Sequence, residues 1–217
     1  ITTEYVDPVT CYLELHTTFN FDPDLTSTTI QTTQTNILST ITSYFNDNLK
    51  KFEKVFRRSN LISEIDDLDT AILNSKMDVK MQLRINPTLN VSSDYTLNYP
   101  VAIALPDDEA IRVTTSRFTF NTRTCSIKNK LGSNTLQVVN SDGEIEADNI
   151  GSFNPTTGQV SLVGFNPTAI EGAAIKVSVV PSNESTIRPL RNYVLDLDTS
   201  LTSAIGVFDY QNTKVVL

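Results

Sequence analysis

Two stretches in the first half of the chain alternate apolar and polar side chains. In residues 11–21, one side carries Cys11, Leu13, Leu15, Phe19 and Phe21, and polar residues fall on the other side. In residues 77–85, the apolar side consists of Met77, Val79, Met81, Leu83 and Ile85. Because successive side chains of a strand point to opposite faces, a period of two is typical of a half-buried strand. We therefore predict a strand over each stretch.

Between these two strands, the apolar residues recur at spacings of three, four or seven. This stripe consists of Ile30, Ile37, Ile41, Tyr44, Phe45, Leu49, Phe52 and Phe56. The spacing predicts one long amphipathic helix over about 28–56, with its N-terminal cap supplied by residues 26–28. The first half of the stretch is rich in Thr and Gln, whose helix propensity is weak. Packing against other parts of the protein must therefore hold that half in place.

A shorter helix follows, and with it the first part of the chain becomes an α+β unit. Its apolar positions are Leu61, Ile62, Ile65 and Leu68. Ser59 or Asn60 can supply its N-terminal cap. The pattern in residues 1–86 therefore predicts the order strand, long helix, short helix, strand. We expect the two strands to share a small sheet covered by the long helix.

The rest of the chain predicts short strands and turns. We interpret 87–110 as an extended connector with a short edge strand at 99–105, and 111–198 as a β-rich part. The candidate strands there are 116–121, 123–130, 135–140, 143–150, 159–164, 173–180 and 190–198, and the turns are 131–134, 141–143 and 154–158. Short strands at this spacing predict a sandwich- or barrel-like fold. The tail, 199–217, is too apolar to be solvated, so we expect it to dock on a partner or on the rest of the chain.

Composition and charge narrow the classes of partner. The chain has 217 residues and a net charge of −8, so we expect no binding to nucleic acid, whose phosphates attract basic proteins. It has no apolar run of the roughly 18 residues that a membrane span needs, so we expect no membrane contact. Its one basic stretch is Lys50, Lys51, Lys54, Arg57 and Arg58. We expect these cations to complement the negative C-terminal pole of the long helix.

The residues that carry out catalysis or bind metals are sparse. The single histidine, His16, falls on the polar side of a predicted strand, and Cys11, Cys125 and His16 do not form a recognised zinc-binding spacing. The acidic groups at 66–69 and 107–109 lack a calcium-loop pattern, and no glycine-rich phosphate loop is present. We therefore expect a protein that is not an enzyme and uses no metal and no cofactor.

Several runs resemble proteins of phage tails. Residues 41–45 within a long helix, 59–65 within a short helix and the alternating strand up to Ile85 resemble the baseplate J-like family of contractile phage tails. The runs 128–133, 149–158 and 187–193 are similar to the C-terminal part of T4-type baseplate wedge subunits that form the inner ring.

The resemblance implies a structural protein of the virion that is made late in infection. It would assemble in the host cytoplasm and be located in the tail baseplate. Its partners would be a second copy of itself, as a homodimer, and other baseplate wedge proteins, which together form the inner ring. The family motifs consist of turns and strand ends, and they contain no catalytic residue.

We expect such contacts to use apolar residues of the long helix and of the tail. The candidate interface residues are Ile37, Ile41, Tyr44, Phe45, Leu49, Phe52, Phe208, Tyr210 and Val215. The alternative for the helix stripe is that the chain's own sheet covers it.

Two other functions stay open. A carbohydrate- or receptor-binding β module of a tail fibre or cell surface predicts exposed aromatic residues such as Tyr95, Tyr99 and Phe153. A hydrolase would have to rely on carboxylates such as Asp66 and Asp107.

Overall fold

The computed structural model describes residues 7–189 and 192–211, and these fall into two compact units. The first unit combines the chain up to Val79 with the chain from Glu184 onward, and the second spans Lys80–Asn183. The helices are α1 (Ile30–Asn48) and α2 (Arg58–Asp66), with a 3-10 turn at Pro23–Leu25. The strands are β1 (Val9–Phe21), β2 (Phe56–Arg57), β3 (Ile72–Ile85), β4 (Ser93–Asn98), β5 (Val113–Thr115), β6 (Phe118–Phe120), β7 (Arg123–Asn129), β8 (Thr135–Asn140), β9 (Ile145–Asn154), β10 (Gln159–Phe165), β11 (Ala169–Ile170), β12 (Ile175–Val179), β13 (Thr186–Ile187), β14 (Tyr193–Leu197) and β15 (Ser203–Phe208). The described part of the chain is thus β-rich, with helices only in the first unit.

In the first unit, β1 is the central strand of a small sheet. Strand β3 lies on one side of β1, and β14 and β15 follow each other along its other side, both parallel to it. Helix α1 packs against β15, β14 and α2. The apolar side of β1, which includes Thr17, is fully buried, as its alternation predicts, but Glu14 on the other side is buried as well. The polar side of this strand is therefore covered in part, which a period of two alone does not show.

Helix α1 is shorter than its apolar stripe predicts. Its N-terminal cap is Thr29, whose hydroxyl accepts a hydrogen bond from the Thr32 amide at 3.2 Å. The helix ends at Asn48, about eight residues before the predicted end. The chain then turns through Glu53, which has a φ of 61°. Phe56 continues the helical spacing of the stripe but lies in β2, where it pairs with Ile187 of β13. Leu49 and Phe56 of the stripe are buried although the backbone has left the helix, whereas Phe52 between them is 50% exposed.

Helix α2 begins at Arg58, so Ser59 and Asn60 are helical residues and the prediction that they cap it is wrong. Its N-terminal flanking residue, Arg57, makes no side-chain capping hydrogen bond. Leu61 and Ile65 are buried, as the pattern predicts.

The second unit is an antiparallel series of strands. The end of β3 pairs with β12, and the series continues through β5, β7, β8, β9 and β10 to β4. Strand β6 pairs with β7 and with β11. The buried side chains that form its core include Val113, Ile127, Leu136, Val138, Val160, Leu162 and Val177. The described strands of this unit thus form one hydrogen-bonded series, and the sandwich- or barrel-like arrangement stays a prediction.

The predicted strand positions in this unit are largely confirmed. Strand β8 has the predicted bounds, and β7, β9, β10 and β12 each overlap their predicted stretch. The expected edge strand at 99–105 is wrong, because the strand is β4 at Ser93–Asn98, while Ile103 forms an isolated bridge to Pro181. Polar residues surround Tyr95 and Leu97 in β4, so the apolar pattern there is weak. The predicted turns contain Gly132 and Gly143, both in the left-handed region that favours glycine.

Candidate interaction surface

The predicted interface stripe of the helix is mostly buried within the first unit. Ile37, Ile41 and Phe45 have no exposed surface, and Leu49 and Tyr44 are 1% and 7% exposed. The ring of Phe45 lies 6.1 Å from that of Phe56 and 6.3 Å from that of Tyr44, measured between centroids. Burial raises the pKa of Tyr44, with a further contribution from the Glu64 carboxylate. These five side chains therefore pack inside the chain and leave little or no surface for a partner.

The remaining predicted interface residues have different positions. Phe52 is 50% exposed in the turn after α1, and Phe208 and Tyr210 are 55% and 56% exposed in and just after β15. Val215 lies outside the described residues. The structure thus brings Phe208 and Tyr210 together on the tail.

Strand β15 is held along the second half of β1 by polar contacts near both of its ends. At its start, the His16 ring nitrogen Nδ1 and the Ser203 hydroxyl lie 3.1 Å apart. After its end, the Asn20 side chain donates a hydrogen bond to Asp209 at 2.9 Å. The backbone amide of Gln211 donates a hydrogen bond to the buried carboxylate of Asp22 at 3.1 Å. The described part of the tail therefore docks on the chain itself, and the register is fixed by side chains as well as by the backbone.

Gly206 allows α1 to approach the middle of this strand. A Cβ at this position would lie 2.5 Å from Ile30 and 2.7 Å from the tip of the Phe19 ring. Contacts this short require neighbouring side chains to move. The glycine is therefore needed for close packing between helix and strand.

Four apolar side chains in and just after β15, here called the β15 surface, are exposed: Ile205 and Val207 lie on one face of the strand, and Phe208, stacked on Tyr210, lies on the other. Each is between 48% and 56% exposed. The rings of Phe208 and Tyr210 are stacked with centroids 6.3 Å apart, and Phe208 also meets the edge of buried Phe21. In the described part of the chain, β15 pairs with β1 only, so its other backbone edge is open. An open strand edge with exposed apolar side chains is a typical site for contact with another protein.

Sequence reasoning found part of this surface. The apolar tail pointed to Phe208 and Tyr210, but Ile205 was missed because isolated apolar residues are common on protein surfaces. Its significance comes from its position at the sheet edge, which depends on a pairing between residues far apart in the sequence.

The candidate chemical residues do not assemble into a site. Among the described residues, no group of three or more His, Cys, Asp or Glu side chains could hold a metal ion. Asp66 accepts a hydrogen bond from the Ser75 hydroxyl at 2.6 Å, and Asp107 forms an ion pair with Arg112 at 2.9 Å. Both cysteines are buried, and burial raises the pKa of the Cys125 thiol. Neither described helix has the length and apolar character needed to cross a membrane.

The aromatic platform expected of a carbohydrate-binding module is not formed. Tyr99 and Phe153 are each only 3% exposed, so the expectation that they are exposed is wrong. The Tyr99 hydroxyl donates a hydrogen bond to the Val177 carbonyl at 2.7 Å, which fixes its ring inside the second unit. Tyr95 packs edge-on against Phe165. These aromatic residues serve the core of the second unit.

Comparison with known proteins gives one family match. Residues 9–83, from β1 through most of β3, match the family described as baseplate structural protein gp6, C-terminal domain III. A comparison with curated proteins finds no match. The J-like family and the position in the inner ring stay predictions. The match supports a structural protein of a T4-type phage tail baseplate.

Proposed function

We propose that the chain is a subunit of the baseplate wedge of a contractile phage tail and helps to form its inner ring. It acts by contacts with a second copy of itself, as a homodimer, and with other wedge proteins, and it has no enzymatic activity and binds no nucleic acid or membrane. It is made late in infection and assembles in the host cytoplasm. The family match over residues 9–83 supports the baseplate role.

The observation that carries the proposal is the exposed β15 surface. Ile205 and Val207 pair in register with Thr18 and Asn20 of β1, so they add apolar area beside polar neighbours. An isolated protein gains nothing from four exposed apolar side chains at an open sheet edge, whereas a partner strand or helix would remove them from water. Burying such side chains contributes roughly 25 cal/mol for each Å² of apolar surface removed from water. The β15 surface is thus suited to a permanent contact within an assembly.

The test is co-assembly with the other baseplate proteins of the same phage. Ile205→Asp places a charge in the β15 surface, and Ile145→Asp is the matched control, because Ile145 lies in a strand of the second unit and is 57% exposed against 56% for Ile205. After co-expression, the amount of the chain that sediments with baseplates is measured on a density gradient. We expect Ile205→Asp to be depleted from that fraction and Ile145→Asp to match the unmodified chain. Equal recovery of both variants would contradict a role for the β15 surface.

A further inference from the structure

The second unit contains a small polar pocket near the start of β7. Its volume is about 140 Å³, and its lining includes Arg117, Thr124, Ser126, Lys128 and Ser141. One water occupies about 30 Å³ in the liquid, so the pocket has room for a carboxylate group and a few waters. Within the described chain, the Arg117 guanidinium and the Lys128 ammonium have no ion pair and no side-chain hydrogen bond. The pocket therefore offers two cations and nearby hydroxyl groups to an anionic group.

Two carboxylates that contact the pocket residue Asn140 are already satisfied. Glu144 and Glu146 accept hydrogen bonds from the Arg123 guanidinium at 2.8 and 2.9 Å. Both also accept hydrogen bonds from the Asn140 side-chain amide, at 3.0 and 2.8 Å. The amide and the guanidinium together hold the pKa of Glu144 below its usual value. Because these acids are committed to other donors, the charge of Arg117 and Lys128 is not balanced by a direct contact.

An acidic loop, Pro106–Glu109, lies at the opposite end of the β7–β8 pair. The Gly132 amide, in the turn between these strands, donates a hydrogen bond to the Asp107 carbonyl at 2.7 Å. Arg112 pairs with the carboxylate of Asp107, whereas Asp108 and Glu109 are exposed and have no ion pair among the described residues. The loop thus presents two unbalanced negative charges.

The loop does not line the pocket of its own chain, and it contacts the turn after β7 instead. From Ser126 in the pocket to the end of β7 at Asn129 is about 10 Å at the rise of an antiparallel strand. We propose that the acidic loop of one copy inserts the carboxylate of Asp108 or Glu109 between Arg117 and Lys128 of a second copy. This contact deepens the proposed function and rests on its self-association. In a two-fold dimer the two copies make this contact twice, because the loop of each copy meets the pocket of the other.

Charge exchange between two variants tests this contact. The pocket variant carries Arg117→Glu and Lys128→Glu, and the loop variant carries Asp108→Lys and Glu109→Lys. When the pocket variant associates with itself, an acidic loop meets an acidic pocket. When the loop variant associates with itself, a basic loop meets a basic pocket. We expect self-association, measured by light scattering after size-exclusion chromatography at low salt, to weaken at least about tenfold, since a close interfacial charge pair contributes that much or more. Lys51→Glu with Lys54→Glu reverses two exposed cations of the first unit as the matched control.

An equimolar mixture of the pocket and loop variants is expected to recover association, because opposite charges then meet at every contact. A single chain with all four changes is expected to recover it as well. Far-UV circular dichroism first verifies that the variants are folded. If self-association is then lost and the mixture does not restore it, the proposed contact is overturned. A loss of self-association equal to that of the Lys51 and Lys54 control would also overturn it. A strictly monomeric unmodified chain would also overturn it. The proposed baseplate role is judged separately by co-assembly of Ile205→Asp, so the two can fail independently.

Discussion

Phe45→Ala tests whether the stripe of α1 is core or interface. The Phe45 side chain has no exposed surface and packs against the rings of Tyr44 and Phe56. Truncating a fully buried phenylalanine removes its transfer free energy and leaves a cavity, which costs about 3–5 kcal/mol. We expect this loss in the free energy of unfolding of the first unit. The control is Phe52→Ala, where the side chain is 50% exposed and the expected change is within about 0.5 kcal/mol.

The assay is urea unfolding followed by the helical signal in far-UV circular dichroism. Both described helices lie in the first unit, so this signal reports on that unit even if the second unit unfolds separately. Self-association is measured on the same samples by light scattering. If Phe45→Ala weakened association and left the unfolding midpoint unchanged, the stripe would be an interface and the assignment to the core would be refuted.

Three further changes probe the backbone and the turns. Gly206→Ala is expected to lower the stability of the first unit by about 1–3 kcal/mol in urea unfolding, because the new methyl group would overlap with Ile30; unchanged stability would contradict the tight packing. Thr122→Gly is expected to raise stability by about 1 kcal/mol, because Thr122 has a φ of 67° that costs a β-branched residue energy; a lower midpoint would contradict this. Asn140→Ala is expected to raise the pKa of Glu144 towards its usual value, as measured by NMR titration of the carboxyl carbon, because the Asn140 hydrogen bond is the main cause of the lowered pKa. The lowered pKa favours folding at neutral pH and this effect is lost as the pH falls through the pKa of the folded state, so Asn140→Ala is expected to weaken the acid dependence of stability.

Local patterns predicted much of the strand content but misjudged the helix. The alternation in 11–21 and 77–85 identified β1 and the second half of β3, because burial of one face imposes a period of two. The end of α1 was missed because Leu49 and Phe56 are buried as the helical pattern requires while the backbone has already left the helix. Periodicity reports which side is buried, and it does not distinguish a helix from a turn followed by a strand.

The candidate surface depended on long-range pairing. Strand β15 lies parallel to β1, with Ser203 opposite His16 and Phe208 opposite Phe21. Strands that pair across such a distance in sequence leave no local pattern. The sequence of the tail indicated only that its apolar residues must be buried against something. Likewise, Arg117 lies between β5 and β6 and Lys128 lies in β7, and only the fold brings them to one pocket.

The central claim is that the chain is part of the baseplate. Its most direct test is immunogold electron microscopy of purified contractile tails of the phage that encodes it, with antibody against this chain. We predict gold at the baseplate end of the tail, in extended and in contracted particles. Absence of the chain from the particles, or labelling confined to the tail fibres or the sheath, would contradict the account.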